Sequence, residues 1–238
     1  MPIEAQGALN NLDALARSVS TLQNQMAPIA LAYQGAWDNR ALPSQSNIGM
    51  LWRITDVGVG GGSWWWSDGT NLRPLNGRVL LWQRNSLFSS PLSTITANAT
   101  NKDFLLPDNL VFPAGMLYPG ISVWASASIR RNAIVGSAGS TTVKFGTNAT
   151  TPNNNVLNVF SQSAANDWNC FGGAKIVSST SYLSAAGNTS LNSVGVSAIS
   201  DKTTLFDTSV VNYLSFGISS GATVDQFSLA AYSVWLEG

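Results

Sequence analysis

The stretch from Gly49 to Gly77, GMLWRITDVGVGGGSWWWSDGTNLRPLNG, constrains the fold of this chain more than any other. It holds four of the nine tryptophans, a glycine-rich turn and a polar Ser67-Asp68-Gly69-Thr70 turn. Met50 to Thr55 alternates loosely and reads as a strand; Asp56 to Gly62 is a turn, and Ser63 to Trp66 is a second strand. Asp-Gly at the centre of the next turn is a strong hairpin signal. Side chains on a strand alternate between its faces, so Trp64 and Trp66 share one face and Trp65 takes the other. A two- or three-stranded sheet has no core of its own to cover both faces. One face must be covered from elsewhere. An adjacent chain would supply that cover, which makes Trp64 and Trp66 candidate oligomerisation residues; the alternative is an indole platform for a sugar.

Before this stretch lies a heptad. Leu12, Val19 and Met26 fall at a, and Leu15, Leu22 and Ile29 at d, with polar residues between. The spacing predicts a short helix, either lying on its own domain or packed against copies of itself as a coiled coil. The mixed a and d residues do not choose between two strands and three. Asp13 and Arg17 add one weak ion pair, and Pro28 breaks the helix near its end. Residues 1–30 therefore read as an arm and coiled-coil stem, and 31–77 as a linker with at most one short strand followed by a Trp/Gly-rich hairpin collar.

Residues 78–238 alternate in several places, most clearly through Ile121, Val123, Ala125, Ala127 and Ile129, and through Phe227, Leu229, Ala231, Ser233 and Trp235. Gly, Asn and Ser separate the runs at short intervals. About eight strands with no helix between them predict a β-sandwich or jelly-roll head. Phe104, Leu106, Val111, Phe112, Leu117 and Tyr118 are the expected core anchors of its loop-rich opening. The fold class expected is thus mostly β, with stem, collar and head, as a parallel homotrimer.

Composition narrows the chemistry. Lys+Arg and Asp+Glu are 12 each, and only 10% of residues are charged, against about 25% in an average domain. Such a chain has no electrostatic footprint for nucleic acid or an anionic membrane. No apolar run approaches the roughly 20 residues that span a bilayer. Met1-Pro2-Ile3-Glu4 does not open a secretory signal, and the sequons at Asn98, Asn148 and Asn188 are read as chance. With no histidine, a Ser-His-Asp relay is impossible and the commonest metal ligand is missing. The single cysteine, Cys170, cannot form an intrachain disulfide and reads as a buried small hydrophobe. Gly60-Gly61-Gly62 lacks the Gly-Lys-Ser/Thr ending of a phosphate loop. The acids are scattered, with only Asp103/Asp108 and Asp201/Asp207 close in sequence, whereas a glycosidase needs two carboxylates across a cleft. No enzyme, metal or cofactor is expected. Asn154, Asn155 and Trp168, residue types that bind sugars by hydrogen bond and stacking, read either as a turn with core aromatics or as a glycan contact.

The segment around the tryptophans resembles a short motif of tail and fibre proteins of tailed bacteriophages. Ile54, Thr55, Asp56, Trp65, Ser67, Asp68, Gly69, Thr70, Pro74, Leu75 and Gly77 match it; Leu72 stands where that pattern has an aromatic. Phe112 to Gly120 and the closing Tyr232 to Gly238 resemble compact head domains of phage appendages. The resemblance implies a non-enzymatic structural or adhesive virion component, assembled in the host cytoplasm. It would be attached to other virion proteins through residues 1 to about 46, with its head toward a host polysaccharide or protein. The alternatives are a capsid-decoration or tail-connector protein and, less favoured, a glycan depolymerase.

Overall fold

The computed structural model describes residues 31–40, 42–60, 62–96, 102–133, 139–151, 154–162, 167–190, 193–220 and 226–238. They form a mostly β fold of three sheets.

The first sheet holds β1 (Leu31–Gly35), β2 (Leu51–Ile54), β3 (Ser63–Ser67) and β4 (Leu72–Pro74), in that order. β2, β3 and β4 run as an antiparallel meander, while β1 lies parallel to β2, so this sheet is mixed. Two 3-10 turns, Trp37–Asn39 and Gln45–Asn47, lie on the connection between β1 and β2.

The remaining strands are β5 (Arg78–Asn85), β6 (Ser93–Thr96), β7 (Lys102–Asp103), β8 (Val111–Phe112), β9 (Ser122–Ala133), β10 (Gly139–Gly146), β11 (Asn155–Gln162), β12 (Asp167–Ser178), β13 (Ser181–Ser190), β14 (Ser193–Lys202), β15 (Asn212–Ser220) and β16 (Gln226–Glu237). Seven of them form one sheet in the order β14-β13-β12-β9-β16-β5, with β6 also paired to β16. Five form the other, β11-β10-β15-β7, with β8 also paired to β15. All pairings in these two sheets are antiparallel.

The two sheets face each other across an apolar core. Thr141 Oγ1 and Cys170 Sγ lie 3.1 Å apart across it. The Tyr182 hydroxyl donates to Phe145 O at 3.3 Å, and Phe216 packs 5.9 Å from Tyr232. The alternation expected for β9 supplies this core, and that expected for β16 does so as far as Leu229. Val123, Ala125, Ala127 and Ile129 are buried, as are Phe227, Leu229, Tyr232, Val234 and Leu236; a register shift between Leu229 and Ala231 moves the inward positions from Ala231 to Tyr232. Of the expected anchors, Phe104, Phe112, Leu117 and Tyr118 are buried.

The architecture read from sequence is corrected in three respects. Among the described residues there is no α-helix, so no coiled-coil stem is part of the described fold. The heptad residues Leu12, Leu15, Val19, Leu22, Met26 and Ile29 lie outside the described residues, and the parallel homotrimer tied to that stem is set aside with it. The collar is a four-stranded sheet rather than a hairpin, because β1, the one short strand allowed to the linker, and β4 both join it. The head expected as an eight-stranded sandwich or jelly roll has twelve described strands, β5 to β16, extended at one edge by the β13–β14 hairpin. β13 reads SYLSAAGNTS, and its small and polar residues carry no regular alternation from which a strand could be read.

Candidate functional site: a two-faced tryptophan sheet and the cleft beside it

Register decides which tryptophans enter the core. On the inner face Trp65 stands opposite Trp52 on β2 and Pro74 on β4. Trp52 and Trp65 are both fully buried. Trp37, from the first 3-10 turn, meets Trp65 edge to face at 5.4 Å, a geometry that aligns one ring's positive edge with the other's negative face. The Trp65 indole N–H donates to Ser63 Oγ at 2.7 Å. Cover for this face thus comes from within the chain.

The same residues join the sheet to the sandwich. The Trp37 indole N–H donates to Ala114 O at 3.3 Å, and its backbone N–H donates to Asp56 Oδ1 at 2.8 Å. Arg40 lies 3.8 Å over the Trp37 ring. Val59 N donates to Leu80 O at 3.0 Å. Gly62 closes the glycine turn at φ +117°, where a Cβ would stand 2.4 Å from Ile54 O. Only glycine fits that position.

The outer face carries Leu51, Arg53, Trp64, Trp66 and Arg73, aligned by the register Leu51–Trp66–Arg73 and Arg53–Trp64. Trp64 is 44% exposed and Trp66 half-buried. Arg53 lies 5.9 Å over the Trp64 ring, and Arg73 is held by Asp68 at 2.6 Å. Asp68 Oδ1 also accepts from the N–H groups of Thr70 (2.9 Å) and Asn71 (2.7 Å). Partial burial would raise the Asp68 carboxyl, but the Asn71 and Thr70 N–H groups, with Arg73, outweigh it and hold the carboxyl below the usual carboxylate range. The turn is therefore fixed while the outward indoles are left in contact with water.

Of the expected glycan residues, two are occupied internally. Asn154 is buried; its amide donates to Asn148 O at 2.9 Å and its Oδ1 accepts from Asn148 N at 2.8 Å. The Asn155 amide donates to Thr204 O. Trp168 sits on β12 in register with Ile129 of β9. Cys170 is buried, and burial pushes its thiol up to about 12, so it is not a nucleophile near neutral pH. Each acid of the pairs noted in sequence for which contacts are described has its own partner: Asp103 binds Lys144, Asp108 binds Arg84, and Asp207 caps Ser209.

A cleft that sequence reading missed lies where the glycine turn meets the sandwich. Its cavity measures about 350 Å³, and its walls include Asp56, Gly58 to Gly60, Trp82, Gln83, Arg84 and Asp108. Arg84 grips Asp108 with two bonds, Nε to Oδ2 at 2.9 Å and Nη2 to Oδ1 at 2.8 Å, and the Tyr232 hydroxyl donates to Asp108 Oδ2. Arg84, against partial burial and with help from Tyr232, holds the Asp108 carboxyl below its usual range. These groups come from three separate segments, and no local motif joins them. The chain matches no family model and no curated protein sequence.

Proposed function

We propose that this chain is a non-enzymatic structural and adhesive component of a tailed-bacteriophage virion. Its tryptophan sheet lies on the attachment side, and the two-sheet sandwich of residues 78–238 is turned toward the host. The observation that supports this most is the division of the tryptophan strand. Trp65 is spent on the chain's own core, whereas Trp64 stays 44% exposed beside Arg53 on a sheet fixed to the sandwich. Tryptophan and arginine are the side chains most enriched at the energetic centres of protein interfaces. A rigid sheet that presents both loses little conformational freedom on docking. The likeness of Ile54 to Gly77 to a phage fibre motif supplies the class of partner, a neighbouring virion protein.

The test is the protein content of gradient-purified particles made by the genome that encodes this chain. Quantitative mass spectrometry is expected to find the chain at a fixed ratio to the major capsid protein through successive gradients. Its loss during purification, while the particles stay infectious, would contradict the proposal.

A further inference from the structure

The cleft beside the glycine turn has a composition that selects its ligand. Trp82 forms one wall and is held edge-on to Phe112 at 5.3 Å, so its ring is fixed before anything binds. Around it stand two carboxylates, Asp56 and Asp108, one amide, Gln83, and one guanidinium, Arg84, with aliphatic side chains such as Val59, Val111 and Met116 between them. Arg84 uses two of its five N–H groups on Asp108, and Asp108 accepts three bonds from Arg84 and Tyr232. Donors and acceptors therefore remain side by side. With two acids and one base among these residues, a phosphate or carboxylate meets net repulsion. A wholly apolar ligand would strip water from four polar side chains without replacing their hydrogen bonds. A bare cation finds only one carboxylate outside the Arg84–Asp108 pair, Asp56, whose Oδ1 already accepts the Trp37 backbone N–H, too few ligands to hold it. A molecule with one C–H face and a rim of hydroxyls satisfies every group: the face stacks on the indole, and the hydroxyls both donate and accept. The cavity of about 350 Å³ is at the small end of ligand sites, which suits a mono- or disaccharide.

We propose that this cleft binds a neutral saccharide and does not cleave it. Asp108 cannot serve as a proton donor while Arg84 holds it ionised, and the other carboxyl, Asp56, is engaged through Oδ1 by the Trp37 backbone N–H; an acid-catalysed glycosidase needs a carboxyl free to keep and deliver a proton near neutral pH. The inference names a ligand for the adhesive reading above and rests on that reading only for its biological use. The experiment uses the purified chain without particles, so either can fail alone.

Saturation-transfer NMR with tryptophan-fluorescence titration is run on the full chain. The probes are the methyl glycosides of glucose, galactose, mannose, rhamnose and N-acetylglucosamine, with N-acetylneuraminic acid as the anionic probe. At least one neutral glycoside is expected to saturate with a Kd on the order of 1 mM. Two substitutions at exposed positions test the location: Gln83→Ala removes an amide from the wall, and Val59→Trp fills the mouth. Each is expected to weaken binding about tenfold or more. Val177→Ser, on β12 away from the cleft, is expected to leave binding unchanged, and circular dichroism checks that all three variants fold. The proposal is overturned by any of three results: no neutral glycoside binding up to about 20 mM, binding that survives Val59→Trp in a folded variant, or release of methanol from a bound glycoside.

Discussion

Replacing Lys144 by methionine is expected to destabilise the protein by about 3–5 kcal/mol. Lys144 lies on β10, with β11 on one side and β15 on the other. Its side chain is fully buried, and its Nζ lies 2.8 Å from Asp103 Oδ1 on β7. The pair reaches across β15 at Gly217, where a Cβ would stand 2.5 Å from Asp103 Oδ1 and 2.9 Å from Lys144 Nζ. Removing one member leaves the other charge buried and unneutralised, which costs more than the intact pair contributes. Asp103 Oδ2 already has no hydrogen-bond partner among the described residues, so water-free compensation there is limited. The double change Lys144→Met with Asp103→Leu removes both charges and is expected to lose less than either single change. Urea denaturation of the four proteins measures this as a cycle. Single variants within about 0.5 kcal/mol of the parent would mean that the pair is solvated in solution.

The second large effect separates neighbouring tryptophans. Trp65→Ala is expected to cost about 3–5 kcal/mol, because the ring fills the space between Trp52, Pro74 and Trp37 and truncation leaves a cavity. Trp64→Ala, one residue away, is expected to change stability by no more than about 0.5 kcal/mol. Thermal and urea unfolding of both variants measure the contrast. Equal losses would place the two rings in the same environment, against the register Trp52–Trp65 and Arg53–Trp64.

Alternation alone established that Trp65 opposes Trp64 and Trp66. It did not establish which side faces the core. That choice is made by Trp37 and Ala114, which lie far from β3 in sequence and reach it only through the fold. The reading that Trp64 and Trp66 are the covered pair assumed that the chain had no cover of its own to offer. β9 was legible because it alternates over many residues and buries one face; β16 was legible as a strand, but its irregularity after Leu229 puts Tyr232, Val234 and Leu236 inward in place of Ala231, Ser233 and Trp235. β1 was not, because LAYQG is five residues long and its parallel partner β2 lies beyond two 3-10 turns rather than a hairpin. Asn154 and Asn155 resembled a binding loop because an amide that bonds a sugar and one that closes a loop look alike in sequence; their partners, Asn148 and Thr204, decide for the loop. The cleft was hidden for a related reason. Asp56, Arg84 and Asp108 carry no common spacing, and Asp108, close to Asp103 in sequence, has its partners in Arg84 and Tyr232.

Hydroxyl-radical footprinting of the tryptophans, in the free chain and on the assembled particle, tests the central claim most directly. In the free chain Trp64 is expected to oxidise readily and Trp66 more slowly, while Trp52 and Trp65 stay protected. On the particle Trp64 and Trp66 are expected to become protected, with Trp52 and Trp65 unchanged. Oxidation of Trp65 as fast as Trp64 in the free chain would contradict the two-faced sheet, and Trp64 reacting equally in both states would contradict its role as the docking face.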